Sequence, residues 1–79
     1  MKELKLYYMN FCPFCIKAKR FAEKHPELNV EFLNIKDEAN HKALIEIGGK
    51  DQVPMLTVDG KPMYESGAIV KFLKEELKK

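Results

Sequence analysis

The stretch LKLYYMNFCPFCIKAKRFAEKH, Leu4 to His25, contains the change of period on which the reading of this chain turns. Leu4 to Met9 starts with alternation and becomes continuously apolar, as a half-buried strand does on entering a core. From Cys12 onward the spacing is helical. Cys15, Ala18, Phe21 and Ala22 fall on one face, with Lys17, Lys19, Arg20, Glu23 and Lys24 mostly on the other. Pro13 suits a first helical turn, where no backbone donor is needed. His25-Pro26 closes the helix, because a residue before proline avoids helical angles. The only two cysteines of the chain, Cys12 and Cys15, therefore lie where a strand gives way to a helix.

Downstream, Asn29 to Ile35 (NVEFLNI) reads as a second strand rich in Val, Phe, Leu and Ile. Asp37 to Gly49 (DEANHKALIEIGG) has acidic residues at its start, Ala39, Ala43, Leu44 and Ile47 at helical spacing, and a Gly-Gly stop. Pro54 to Glu65 reads as two short strands joined at Asp59-Gly60, a strong hairpin signal. The last segment, from Ser66, is amphipathic, with Ile69, Phe72, Leu73 and Leu77 inward and Ser66 placed to cap its start. The order β-α-β-α-β-β-α predicts one α/β domain over residues 1–79. Its first βαβ unit crosses over right-handed and makes a parallel strand pair, and the hairpin adds antiparallel strands. A four-stranded mixed sheet flanked by three helices follows.

Seventy-nine residues, 46% of them apolar, suffice for one two-layer core. Lys and Arg number 14 against 12 Asp and Glu, a net charge of +2 that is too balanced for a nucleic-acid binder. Lys74, Lys78 and Lys79 alternate with Glu75 and Glu76, as on a solvated helix face. No apolar run reaches the length of a membrane span, and the charged start MKELK leads into no signal-peptide core. A cytoplasmic protein is expected, and nothing demands more than a monomer. In a reducing compartment two cysteines serve catalysis or metal binding more often than a structural disulfide.

A sulfur at Cys12 faces the unpaired N–H groups and the positive end of the helix dipole, which favour an anion and fit Cys12 to act as nucleophile. Cys15, one turn further in, is within disulfide reach and more buried, and suits the resolving role. A structural zinc site needs four ligands, and His25 and His41 stand far apart in the chain, so no metal is expected. A disulfide closing so short a loop removes little unfolded-chain entropy. Redox chemistry is the best reading of the pair.

With strand, Cys12-Pro13-Phe14-Cys15, helix and the later Val53-Pro54 in place, the chain resembles the glutaredoxin family along nearly its whole length. The resemblance implies a thioredoxin-like fold and thiol–disulfide exchange, with glutathione as reductant and no tightly bound cofactor. Its protein partners would carry disulfides or glutathione adducts. Cys12 would attack and Cys15 resolve, with Phe14 flanking the glutathione site. Val53-Pro54 looks like the family's cis-proline loop, which would aim the Val53 backbone at a peptide-like substrate.

Three positions depart from the pattern. Met9 stands where a Lys or Arg is usual, Gln52 stands where Thr is usual, and Tyr64-Glu65-Ser66-Gly67 replaces a Gly-Gly-x-Asp segment. Glu65-Ser66 is similar instead to the Glu-Ser pair of glutathione-transferase N-terminal domains, where the serine and a helix N-terminus meet the γ-glutamyl carboxylate. Gln52, Val53, Pro54, Glu65 and Ser66, with Phe14, are thus the expected glutathione-binding residues. The helical domain that follows in transferases does not follow here, so a transferase proper is not expected. Two alternatives remain. One is a small electron donor reduced by a thioredoxin-reductase-like flavoprotein, for which Met9 leaves room. The other is a glutathione-bridged iron–sulfur carrier using Cys12 of two chains.

Overall fold

Leu4, Leu6 and Tyr7 of the first strand, β1 (Leu4–Tyr8), are all buried, which suits a strand covered on both faces. The structure, a computed structural model, describes residues 3–78; Met1, Lys2 and Lys79, with the last lysine of the C-terminal charge pattern, lie outside the described residues. β1 occupies the interior of a four-stranded sheet of order β2-β1-β3-β4. It pairs in parallel with β2 (Glu31–Asn34), Leu6 opposite Phe32, and antiparallel with β3 (Met55–Val58), Leu6 opposite Leu56. β3 turns through Asp59-Gly60 into β4 (Lys61–Tyr64). Both turn residues have positive φ, 51° and 86°, the mirror-image geometry that matches strand twist.

Helices α1 (Pro13–Lys24) and α3 (Ser66–Leu77) lie together on one face. Ala18 and Ala22 of α1 and Ile69 and Leu73 of α3 close over Leu4, Leu6 and Leu56 of the sheet. Helix α2 (Glu38–Gly48) covers the other face, where Leu44 meets Tyr7 and Met55. This is the thioredoxin-like arrangement that the element order and the resemblance implied. Among the described residues no helix is long and apolar enough to cross a membrane.

Two expectations change. The second strand starts only at Glu31, because Pro26–Leu28 forms a 3₁₀ turn and Asn29, at φ 54°, returns its N–H to the Pro26 carbonyl. Asparagine tolerates that left-handed geometry. On α2, Ala39 and Ile47 are exposed although their spacing points them inward. The helix stands alone on its face, so only the residues aimed straight at the sheet are covered.

α2 ends in close contact with the hairpin. A Cβ at Gly48 would run into the Tyr64 hydroxyl and come within 3.0 Å of the Met55 Sδ. That hydroxyl is buried with no hydrogen-bond partner among the described residues. Lys50 Nζ sits 4.3 Å from the centre of the Tyr64 ring.

Candidate active site

Cys12 is the N-cap of α1, in extended geometry at φ −102° and ψ 111°. Its carbonyl accepts the Ile16 N–H at 2.9 Å, and its sulfur accepts the Cys15 N–H at 3.3 Å. The sulfur therefore satisfies one of the donors that a helix start leaves unpaired. Pro13 at the first helical position has no N–H to compete for it. Cys12 is 8% exposed and Cys15 1%.

Burial pushes the Cys15 thiol up to about 12, helped by its hydrogen bond to Cys12 and, more weakly, by the Cys12 charge, while a hydrogen bond to the Met9 backbone acts in the opposite direction. Cys15 therefore keeps its proton through the ordinary pH range, and it is the more deeply buried of the pair. Between about pH 9 and pH 12 the unfolded chain loses a proton that folded Cys15 retains, so this contribution to stability is complete below pH 9 and disappears as pH rises through the window. The urea midpoint of the reduced protein is expected to fall more steeply above pH 9 than that of Cys15→Ala. Parallel pH profiles for the two proteins would refute the assignment.

Three separate segments meet beside the cysteines. Phe14 from the first turn of α1, Gln52, Val53 and Pro54 from the loop before β3, and Glu65, Ser66 and Gly67 at the start of α3 line one cavity of about 340 Å³. That places every expected glutathione-binding residue around a single hollow. Gly67 joins them; its place directly after Glu-Ser at a helix start was the available signal. Phe14 is 65% exposed, and the Val53–Pro54 peptide bond is cis. Among the described residues no backbone hydrogen bond uses the Val53 N–H or carbonyl.

The start of α3 differs from expectation in one respect. Ser66 is not the cap: Glu65 is the last non-helical residue, its carbonyl accepting the Ile69 N–H at 3.0 Å, and Ser66 is already inside the helix. No side chain caps this end. The first N–H groups of α3 are therefore left for a ligand at the cavity wall. Glu65 adopts φ 72° and ψ 124°, a conformation that costs a non-glycine residue about 1–3 kcal/mol and collects at functional sites.

The cavity lining contains no lysine or arginine. Met9, 45% exposed, lies outside it and borders other hollows with Phe11. Phe11 is 96% exposed at φ 61°, immediately before the candidate nucleophile. An aromatic residue between a strand end and a cysteine is the signal the sequence offers for its place beside the nucleophile. His25 lies 3.5 Å from Glu27 and stacks near Phe21, and His41 lies 3.0 Å from Asp51. Among the described residues no three His, Cys, Asp or Glu side chains gather as metal ligands would.

Against known proteins, the family "Glutathione S-transferase, N-terminal domain" matches residues 6–78. Glutaredoxin 1 of Rickettsia prowazekii (strain Madrid E) is 34% identical over 56 residues, which cover 68% of this chain and 59% of that protein. The chain thus spans less than two thirds of the curated relative it matches. Glutathione transferase Omega 3C from Trametes versicolor superposes with TM-score 0.76 at 22% identity, covering 98% of this chain and 33% of the other. A thioredoxin-like protein superposes with TM-score 0.76 at 24% identity, covering 95% of this chain and 99% of the other. Likenesses at such identity establish the fold. The chain belongs to the glutathione S-transferase N-terminal domain family and is similar to a glutaredoxin over part of its length.

Proposed function

We propose that this chain is a thiol–disulfide oxidoreductase that reduces protein disulfides or glutathione mixed disulfides at the expense of glutathione. The Cys12 sulfur attacks one sulfur of the target, the target S–S bond breaks, and a mixed disulfide with Cys12 forms. The Cys15 sulfur then displaces the substrate from Cys12; its proton goes to the departing thiolate, and a Cys12–Cys15 disulfide remains. Two glutathione molecules supply the two electrons. The first opens that disulfide to give a glutathione adduct on Cys12 and a free Cys15 thiol; the second attacks the glutathione sulfur of the adduct, the two leave joined as oxidised glutathione, and the Cys12 thiol is regenerated.

The observation that carries this reading is the dithiol at a helix N-cap beside a cavity built from Phe14, Val53 and Ser66. The free N–H and carbonyl of Val53 offer strand-like pairing to a peptide-like thiol. The uncapped start of α3 suits the γ-glutamyl carboxylate, and the exposed Glu65 carboxylate suits its ammonium. A cytoplasmic location belongs to the same reading, since a glutathione pool supplies the reductant there. The test is an NMR titration of reduced and oxidised protein with glutathione. Shifts at Phe14, Val53 and Ser66 are expected, and their absence removes glutathione from the account.

A second reading has one observation in its favour: no cation lines the cavity, and Met9 is apolar. A flavoprotein reductase would then be the electron donor. Failure of glutathione at about millimolar concentration to reduce the Cys12–Cys15 disulfide selects it.

A further inference from the structure

A groove of about 450 Å³ runs between α1 and α3 on the side away from α2. Lys17, Arg20 and Lys24 of α1 and Lys74 of α3 line it, and no acidic residue does. The chain as a whole is nearly neutral, so four of its 14 cations along one groove is a marked asymmetry. Lys17, Arg20 and Lys24 make no ion pair among the described residues, whereas Lys19, on the same helix, reaches Glu23 at 3.6 Å. Lys74 lies 5.9 Å from the Phe21 ring centre. Between the charges the wall is apolar, formed by Ile16, Phe21 and Val70. The groove opens at Pro13, the residue after Cys12.

We propose that this groove docks an acidic, extended segment of the protein whose disulfide Cys12 attacks. The identification of the partner as a disulfide protein rests on the oxidoreductase reading; the acidic character rests on the groove itself. Spacings decide the form of the ligand. Lys17, Arg20 and Lys24 follow one another at about 4.5 and 6 Å along the helix axis. A strand advances about 3.3 Å per residue, so carboxylates at roughly every second position meet successive cations. Residues between them then face Ile16, Phe21 and Val70. The distance from Cys12 to Lys24 is about 18 Å, enough for five or six extended residues beside the reacting cysteine. The apolar wall favours this ligand over a nucleic-acid backbone, whose phosphates would leave it uncovered.

The test needs no turnover. Labelled protein is titrated with a cysteine-free peptide carrying Glu or Asp at alternate positions with Val or Leu between, with its Gln/Asn counterpart, and with a single-stranded oligonucleotide. The acidic peptide is expected to bind about tenfold tighter than the neutral one, less so as salt rises, with shifts at Ile16, Arg20 and Val70. The triple substitution Lys17→Gln, Arg20→Gln, Lys24→Gln is expected to abolish the preference while glutathione still shifts Val53 and Ser66. Equal affinity for the two peptides, tighter binding of the oligonucleotide, shifts confined to Phe14 and Val53, or a preference that survives the triple substitution would each overturn the proposal. Loss of glutathione shifts alone, with peptide binding intact, would instead count against the glutathione reading and leave the groove standing.

Discussion

Cys12→Ser is expected to lose roughly three orders of magnitude or more in glutathione-linked disulfide reduction, because a hydroxyl at that site is a far weaker nucleophile than a thiolate. Cys15→Ser is expected to behave differently. Attack on a glutathionylated substrate leaves glutathione on Cys12, and a second glutathione clears it without help from Cys15. That variant should keep part of its activity on glutathione adducts and lose most of its activity on intramolecular protein disulfides. The asymmetry has a structural origin: Cys12 is the helix N-cap, while Cys15 is more deeply buried and its thiol is held in the protonated form. Full activity of Cys12→Ser in a glutathione-coupled assay would dispose of the mechanism. Equal losses on both substrate types in Cys15→Ser would leave Cys12 as nucleophile and remove the resolving role.

The second large effect belongs to Gly48. Alanine there drives a Cβ into the Tyr64 hydroxyl and against the Met55 sulfur, and should destabilise the fold by about 2–3 kcal/mol, as overpacking does. For a domain of this size that lowers Tm by roughly 10–20 °C. Tyr64→Phe alone should stabilise by about 1 kcal/mol, since it deletes a buried hydroxyl that has no partner among the described residues. In the Tyr64→Phe background the main clash is gone, and alanine's better helix propensity, about 1 kcal/mol, works in its favour. Gly48→Ala should therefore cost less in that background, where the contacts with the ring carbon and the Met55 sulfur at 3.0 Å remain. Thermal melts of the four proteins in a double-mutant cycle test the coupling, and additive effects would show that the two side chains do not meet. Function should follow packing here. Met55 and Tyr64 face each other across β3 and β4, next to Pro54 and Glu65 of the cavity wall. The single Gly48→Ala variant is accordingly expected to bind glutathione more weakly as well.

The element order was legible because each element carries its own period or punctuation. Leu4 to Tyr8 tightens into an apolar run, Asp59-Gly60 specifies its turn, and Gly49 ends α2 in the left-handed conformation. Local signals gave less where packing decides. Ser66 has the chemistry of a cap, yet the turn out of β4 puts Glu65 at positive φ and moves Ser66 one place into the helix. Ile47 sits at a core spacing on a helix with too little cover to use it. Phe11 lies beyond the strand reading of Leu4 to Met9, and nothing local shows that the chain turns there at φ 61° and leaves its ring in solvent. The nucleophile could be argued from strand, helix and dipole. The cavity could not: residues 14, 52–54 and 65–67 are brought together by the crossover and the hairpin, and only resemblance named them in advance.

The position of β1 in the sheet also bears on how the chain is born. The first strand lies between β2 and β3, and its beginning is fastened by the Asp59 N–H to the Glu3 carbonyl at 2.9 Å. Of the four strands β1 leaves the ribosome before its neighbours, and neither side of it can be covered until those segments emerge, the β3 side only after residue 58. Until then Leu4, Leu6 and Tyr7 have an incomplete sheet around them. Translation therefore holds an adhesive strand in waiting, and premature termination before β3 yields a fragment suited to chaperone capture rather than a partly folded domain.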